Sequence, residues 1–384
     1  MNYPNPIQSK LPNVGTNIFT IMSKLATDNS AINLSQGFPD FGCDPEMVAL
    51  VNKNMMAGNN QYAPMPGLMS LREMLSEKTE QLYAAKYDPD TEITITAGAT
   101  QAIYTAISAI IHEGDEVIVF DPAYDCYKPA VELNGGKTIH LQLKAPHYTI
   151  DWEEVKKTIN PRTRIIVINT PHNPTGSILT AKDMAKLEEL TKNTDIVIIS
   201  DEVYEHIIFD GHEHQSVARY PKLAERSYII SSFGKTYHTT GWKIGYCVAP
   251  KALMAEFRKV HQFLVFCCNT PIQHALAEFL KKKDNYLNLG KFYQKKRDYF
   301  IEQIKGSKFE WVPASGTYFQ LLNYKSISQE KDTDYAVRLT KEFGIASIPT
   351  SVFYDSSMDN KVLRFCFAKK EETLEKAAAI LCRI

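Results

Sequence analysis

Asp201, in Ser200-Asp201-Glu202-Val203-Tyr204, directly follows an apolar run that reads as a buried strand. A carboxylate at that depth is costly unless it meets a cation, and that cation need not come from protein. A Walker B aspartate would sit the same way, but no G-x-x-x-x-G-K-[ST] occurs in the chain, which excludes that nucleotide-hydrolase chemistry. Three other strand ends carry polar residues that architecture does not require. Thr96-Ala97-Gly98-Ala99-Thr100-Gln101 turns through small residues into a helix, where backbone N–H groups and the helix start favour an anion. Alone, it is equally a tight strand-to-helix turn. Asn169-Thr170-Pro171-His172-Asn173-Pro174-Thr175-Gly176 stops a strand sharply and holds Asn173 in one pose, although by itself a proline-rich loop is the simpler reading. Ser231-Ser232-Phe233-Gly234-Lys235-Thr236, followed by Gly241-Trp242-Lys243-Ile244-Gly245, sets a lysine behind a buried strand. Most lysines are solvated, yet a lysine amine kept neutral condenses with carbonyls.

Together the four loops offer an anion cradle, a fixed amide, a buried carboxylate and a nucleophilic amine. Pyridoxal 5′-phosphate asks for all four, through its phosphate, phenolic oxygen, pyridinium nitrogen and aldehyde.

The elements that position these loops are short β-branched runs alternating with helical patterns. Strands are expected at Glu92–Thr96, Glu116–Phe120, Arg164–Asn169, Asp195–Ser200, Ser227–Ser231 and Lys243–Ala249, with helices over about Thr100–His112 and Ala181–Asn193. Continuously apolar strands separated by helices imply an α/β fold with a mostly parallel sheet, whose functional loops lie at the carboxyl ends of the strands. After about Asp284 a Lys/Tyr-rich helix leads to strands at Gly316–Leu322 and Val362–Phe367 and a last helix from Glu371. The expected division is an N-terminal segment over 1–44 packing on a smaller α/β domain over 285–384, with a large domain over 45–284.

Composition narrows the class. Across 384 residues, 43 basic and 44 acidic side chains leave a net charge of −1, which argues against nucleic acid as a partner. No apolar run approaches the roughly 18 residues of a membrane helix, and the first residues have no apolar core of a secretory signal. The seven cysteines form no C-x-x-C pair and fit reduced thiols, so the expected setting is soluble and cytoplasmic. His212-Glu213-His214 reads as two solvated loop histidines, and no metal site is expected.

In this order, Asn-Pro-Thr-Gly, Asp-Glu-Val-Tyr and Ser-Ser-Phe-Gly-Lys resemble the class I aminotransferases of fold type I that use pyridoxal phosphate. The resemblance runs from Gly37 to Arg364. Asn33-Leu-Ser-Gln-Gly-Phe-Pro-Asp, Gln61-Tyr-Ala-Pro-Met and Gly-Trp-Lys-Ile-Gly-Tyr-Cys-Val-Ala-Pro are similar to the bacterial methionine aminotransferase branch, with the kynurenine aminotransferase and glutamine transaminase group as wider relatives. The resemblance implies that Lys235 is the Schiff-base lysine and moves the α-proton, and that Asp201 pairs the ring nitrogen. Asn173 and Tyr204 then meet the phenolic oxygen. The N–H groups of Ala99 and Thr100, with Ser232 and Lys243, hold the phosphate, and Tyr124 stacks on the ring. Tyr62 reaches the phosphate of a neighbouring subunit, which implies a homodimer with shared active sites.

For the amino acid and 2-oxo acid substrates, Arg364 grips the α-carboxylate, which a guanidinium does bidentately, aided by Asn173 and the backbone of Gly37. Ile18, Phe19, Phe266 and Cys267 offer apolar or soft surface, and no second arginine is identifiable for a side-chain carboxylate. Methionine, with aromatic amino acids second, is the expected donor. A kynurenine/glutamine-type aminotransferase and a cysteine-S-conjugate β-lyase share the scaffold. A non-enzymatic ligand sensor would carry a DNA-binding module before the fold, and the residues there are too few for one.

Overall fold

The computed structural model describes residues 5–384. Its central sheet has seven strands: β1 (Ile93–Thr96), β2 (Glu116–Asp121), β3 (Lys137–Gln142), β4 (Thr163–Asn169), β5 (Val197–Asp201), β6 (Ser227–Ser232) and β7 (Gly245–Val248), in the order β1-β7-β6-β5-β4-β2-β3. Only β7 runs antiparallel to its neighbours, so the sheet is mostly parallel, as the sequence pattern predicts. β3 is the one strand that the pattern does not announce. It lies at the sheet edge and is largely half-exposed, so it lacks the continuous apolar run of the inner strands.

Alternation along the inner strands feeds two cores. Ile165, Val167, Val197 and Ile199 face one side, packing with Ala102, Ile103, Ala106 and Ile107. Ile166, Ile168 and Ile198 face the other, with Leu71 and Leu75. Each of these valine, isoleucine and leucine side chains contributes roughly 1.5–3 kcal/mol on burial. Helix α1 (Ile18–Asp28) lies outside these cores; α2 (Met69–Tyr83) and α3 (Ala99–Ile110) cover the two opposite faces of the sheet. Because the strands are parallel, Thr96, Asp121, Asn169, Asp201 and Ser232 all end at one edge, where the short helix α4 (Phe233–Thr236) begins. Register brings Asn169 opposite Asp201, and Ser232 and Thr96 both opposite Gly245.

A third core gathers α1, α5 (Leu289–Gln303), α6 (Asp332–Glu342) and α7 (Glu371–Leu381) around β8 (Phe319–Asn323), β9 (Ile348–Pro349) and β10 (Val362–Cys366). These strands form an antiparallel sheet in the order β9-β10-β8, and Ile32–Asn33 pairs in parallel with Ile345–Ala346. Among the described residues, no helix is long and apolar enough to cross a membrane.

Candidate active site

Asp201 ends β5 and is only 3% exposed. Tyr127 donates its hydroxyl to Oδ2 at 2.6 Å and the Val203 N–H donates to Oδ1 at 3.3 Å. Burial nevertheless pushes the carboxyl up to about 6. Asn169, its neighbour in register, donates Nδ2 to the Asp201 carbonyl at 2.9 Å, while its Oδ1 accepts the Asn173 N–H at 2.8 Å. The end of β4 therefore fixes both Asp201 and the loop that carries Asn173.

Lys235 sits in α4, three residues past the end of β6. Its Nζ donates to the Gly37 carbonyl at 3.2 Å and lies 5.8 and 5.7 Å from the ring centres of Tyr204 and Tyr318. Burial, and then the Arg364 charge, lower its ammonium to about 8. Tyr318 also donates its hydroxyl to the Gly37 carbonyl, at 2.6 Å. A side chain at position 37 would start 2.7 Å from the Phe319 ring, so glycine there lets the backbone come this close.

Arg364 lies in the middle of β10 and is 1% exposed. It donates to Asn173 Oδ1 at 2.8 Å and to the Ser35 carbonyl at 3.0 Å, leaving Asn173 Nδ2 to serve another acceptor. Its guanidinium lies 3.9 Å from the Phe319 ring centre, 5.1 Å from Phe19 and 5.6 Å from Phe353. Its buried Nε finds no acceptor among the described residues, the state expected of a donor waiting for an anion.

The start of α3 supplies the anion cradle. Gly98 adopts a φ of +81° and turns β1 into the helix, so the first N–H groups, at Ala99 and Thr100, have no carbonyl one turn below. A Cβ at Gly98 would stand 3.4 Å from Lys243 Nζ, which puts that ammonium beside the helix start.

These parts enclose a cavity of about 130 Å³. Ala99, Thr100, Tyr124, Asn173 and Asp201 line it, together with Tyr204, Ser232, Lys235 and Lys243. Arg364 joins through Asn173, and Gly37 through Lys235. Tyr62 stands apart: it is 83% exposed and meets Phe266 edge-on at 5.4 Å. A larger cleft of about 580 Å³, between Pro146–Tyr148 and Trp311–Pro313, contains none of these residues.

Three residues of the site escape the sequence reading: Tyr127, Asn169 and Tyr318. Asn169 falls inside the segment that carries Asn173 and Tyr127 lies three residues past Tyr124, and spacing alone does not show which members face inward. One expectation is corrected. His214 is not a solvated loop histidine; it is 6% exposed, with Nε2 2.8 Å from Glu202 Oε2. His212 is exposed, as expected.

The donor set fits pyridoxal 5′-phosphate. Asp201 is bonded to no ammonium or guanidinium among the described residues, so its buried charge calls for a cationic ligand atom. The helix start and Lys243 call for an anion at the other end. Between them lie a partly neutral amine and a free amide donor.

Comparison with known proteins gives the same direction. The family model described as aminotransferase class I and II matches residues 29–381. The methionine aminotransferase of Escherichia coli (strain K12) is 49% identical over 377 residues, which is 97% of this chain and 98% of that one. The solved structure of YbdL from Escherichia coli, described as having a methionine aminotransferase function, superimposes with a TM-score of 0.97 at 48% identity, covering 99% of this chain and 100% of that one. N-Succinyldiaminopimelate aminotransferase from Mycobacterium tuberculosis gives a TM-score of 0.95 at 34% identity, over 98% of this chain and 100% of that one. Kynurenine–oxoglutarate transaminase 3 of Homo sapiens is 33% identical, over 97% of this chain and 89% of that one.

Proposed function

The chain belongs to the aminotransferase class I and II family, and from that premise we propose that it moves the α-amino group of methionine, and secondarily of aromatic amino acids, to a 2-oxo acid. It is a transaminase, and enzymes of this kind use pyridoxal 5′-phosphate. The observation that carries the reading is the convergence of Asp201, Lys235, Asn173 and Arg364 at one buried cavity.

When bound, pyridoxal phosphate supplies a protonated ring into which charge from the substrate α-carbon flows. Asp201, oriented by Tyr127 and the Val203 N–H, keeps the ring nitrogen protonated. The N–H groups of Ala99 and Thr100, the Ser232 hydroxyl and the Lys243 ammonium hold the phosphate. Asn173 Nδ2 and the Tyr204 hydroxyl would hold the phenolic oxygen, and the Tyr124 ring, which lines the same cavity, would hold the cofactor ring. Lys235 Nζ would hold the aldehyde until the substrate amine takes its place, and the freed amine would then move the proton of the substrate α-carbon as general base and acid. Arg364 grips the α-carboxylate through the donors that now face its buried surroundings, with the Gly37 backbone alongside. Burial lets little water compete for these charges, which strengthens each contact.

Phe19, Phe319 and Phe353 around Arg364 make the substrate surroundings apolar. That surface suits a thioether, which packs well against aromatic rings, in keeping with the methionine aminotransferase of Escherichia coli to which the chain is similar. A homodimer completes the site, each copy lending Tyr62 to its neighbour's phosphate. The unpaired cysteines support a reducing compartment, the cytoplasm.

The test is a comparison of kcat/KM for methionine, phenylalanine, kynurenine and aspartate with a common 2-oxo acid acceptor. Methionine is expected highest and aspartate lowest. Aspartate used as well as methionine would refute the substrate assignment, and release of pyruvate from a cysteine S-conjugate without amino transfer would establish the β-lyase reading instead.

A further inference from the structure

Residues Asp201–Glu205 divide between two sides. Asp201 and Tyr204 line the cavity, whereas Glu202 and Glu205 turn to the opposite face of the sheet, beneath α2. Neither glutamate takes part in the steps above, and both are buried. Their surroundings differ. Glu202 accepts from Ser200 Oγ at 2.7 Å, His214 Nε2 at 2.8 Å and the Val217 N–H at 3.1 Å, and so is tied to its own strand and the loop beyond.

Glu205 reaches further. Its Oε1 accepts from Lys78 Nζ at 2.7 Å, Tyr246 OH at 2.7 Å and Ser231 Oγ at 2.8 Å, and its Oε2 accepts from Tyr83 OH at 2.6 Å. Lys78 donates as well to Tyr246 OH, at 2.8 Å. His206 Nε2 lies 3.6 Å from Oε1. Two of the donors come from α2, one from the end of β6 next to Ser232, and one from β7 next to Gly245. Gly245 in turn touches the phosphate cradle: a Cβ there would lie 2.7 Å from the Ser231 carbonyl and 3.0 Å from the Ala99 nitrogen.

We propose that Glu205, held by Lys78 and Tyr83, is a positioning residue that locks three strand ends into the one arrangement that holds the cofactor: those bearing Asp201 and Tyr204, Ser232 and Lys235, and Lys243. A buried ion pair adds little net stability over an apolar replacement, so its use here is registry rather than strength. The inference rests on the reading of these loops as the pyridoxal phosphate site.

The test follows release of pyridoxal 5′-phosphate from the holoenzyme, as decay of its protein-bound absorbance on dilution. The parent, Glu205→Gln and Leu374→Ala are compared at a temperature where circular dichroism shows each folded. Leu374→Ala empties a buried position of the third core on α7, touching neither Glu205 nor the loops that line the cavity, and serves as the destabilising control. Glu205→Gln is expected to release cofactor about tenfold faster, equivalent to about 1.4 kcal/mol, with Leu374→Ala at the parental rate. Release from Glu205→Gln at the parental rate overturns the proposal, and so does equal acceleration in both variants. Should Glu205→Gln not fold, Tyr83→Phe removes one donor and leaves the charges in place; it is expected to release about threefold faster, and a parental rate overturns the proposal. A parent that binds no cofactor would instead defeat the functional reading on which the inference rests.

Discussion

Lys235 is an amine that its surroundings make available. With its ammonium lowered to about 8 by burial and by Arg364, about a tenth is neutral at pH 7, against well under a thousandth for an ordinary lysine. Pulsed amine labelling of the cofactor-free protein, read by mass spectrometry at Lys235, is expected to rise with a midpoint near pH 8; a midpoint near 10.4 would contradict the argument. Asp201 runs the other way. Its carboxyl is raised by burial to about 6, so its contribution is fully present below the ordinary carboxyl range and is lost as pH rises through 6. The cost at neutral pH is about 3 kcal/mol. Thermal unfolding of cofactor-free protein should therefore show Asp201→Asn more stable than the parent at pH 7.5 and level with it at pH 4, while losing the stabilisation that added cofactor gives the parent. Arg364→Lys keeps a charge but not the fork. A loss of about 2–5 kcal/mol in transition-state binding, equal for methionine and phenylalanine because both share the carboxylate, is the expected kcat/KM result. At this scale the sequence was most readable where a motif sits at a strand end, as with Asp201 and Lys235. His214 was not, because its burial depends on Glu202, which comes from a different element.

Among elements, the inner strands are legible because burial on both faces leaves continuous apolar runs. Two elements are harder to read for opposite reasons. β3 is an edge strand with too little burial to show a pattern. α2 is covered by protein but buries Arg72, Ser76, Lys78 and Thr79, so polar residues occupy positions where an apolar stripe would mark a helix. The turn between β1 and α3 depends on β7 as well, since Gly245 is wedged between the Ser231 carbonyl and the Ala99 nitrogen. Gly245→Ala forces these apart. It is expected to cost about 1–3 kcal/mol of stability and to weaken cofactor affinity more than a comparably destabilising change in the third core. Denaturant unfolding together with cofactor titration checks both, and unchanged affinity would contradict the role given to this contact.

The whole molecule explains what a single chain leaves open. Tyr62 and Phe263 are 83% and 85% exposed, with Met56 and Phe266 also accessible. Tyr62 and Phe266 meet edge-on at 5.4 Å, an exposed aromatic pair that the proposed second copy would cover. Sedimentation equilibrium is expected to give twice the mass of one chain, and Phe263→Glu to shift the equilibrium toward one copy with loss of cofactor affinity. The sequence motifs place Tyr62 at a neighbour's phosphate only through resemblance, because no spacing within one chain can encode a contact made between two. The central claim, that this cavity carries the first half of an amino transfer, has a direct test. Purified holoenzyme is mixed with methionine and no acceptor while its visible spectrum is recorded. The lysine-bound cofactor band is expected to be replaced by that of the aminated cofactor, with one 2-oxo acid formed per site, and Lys235→Ala is expected to show no such conversion. A cofactor band that methionine and every aromatic amino acid leave unchanged would contradict it.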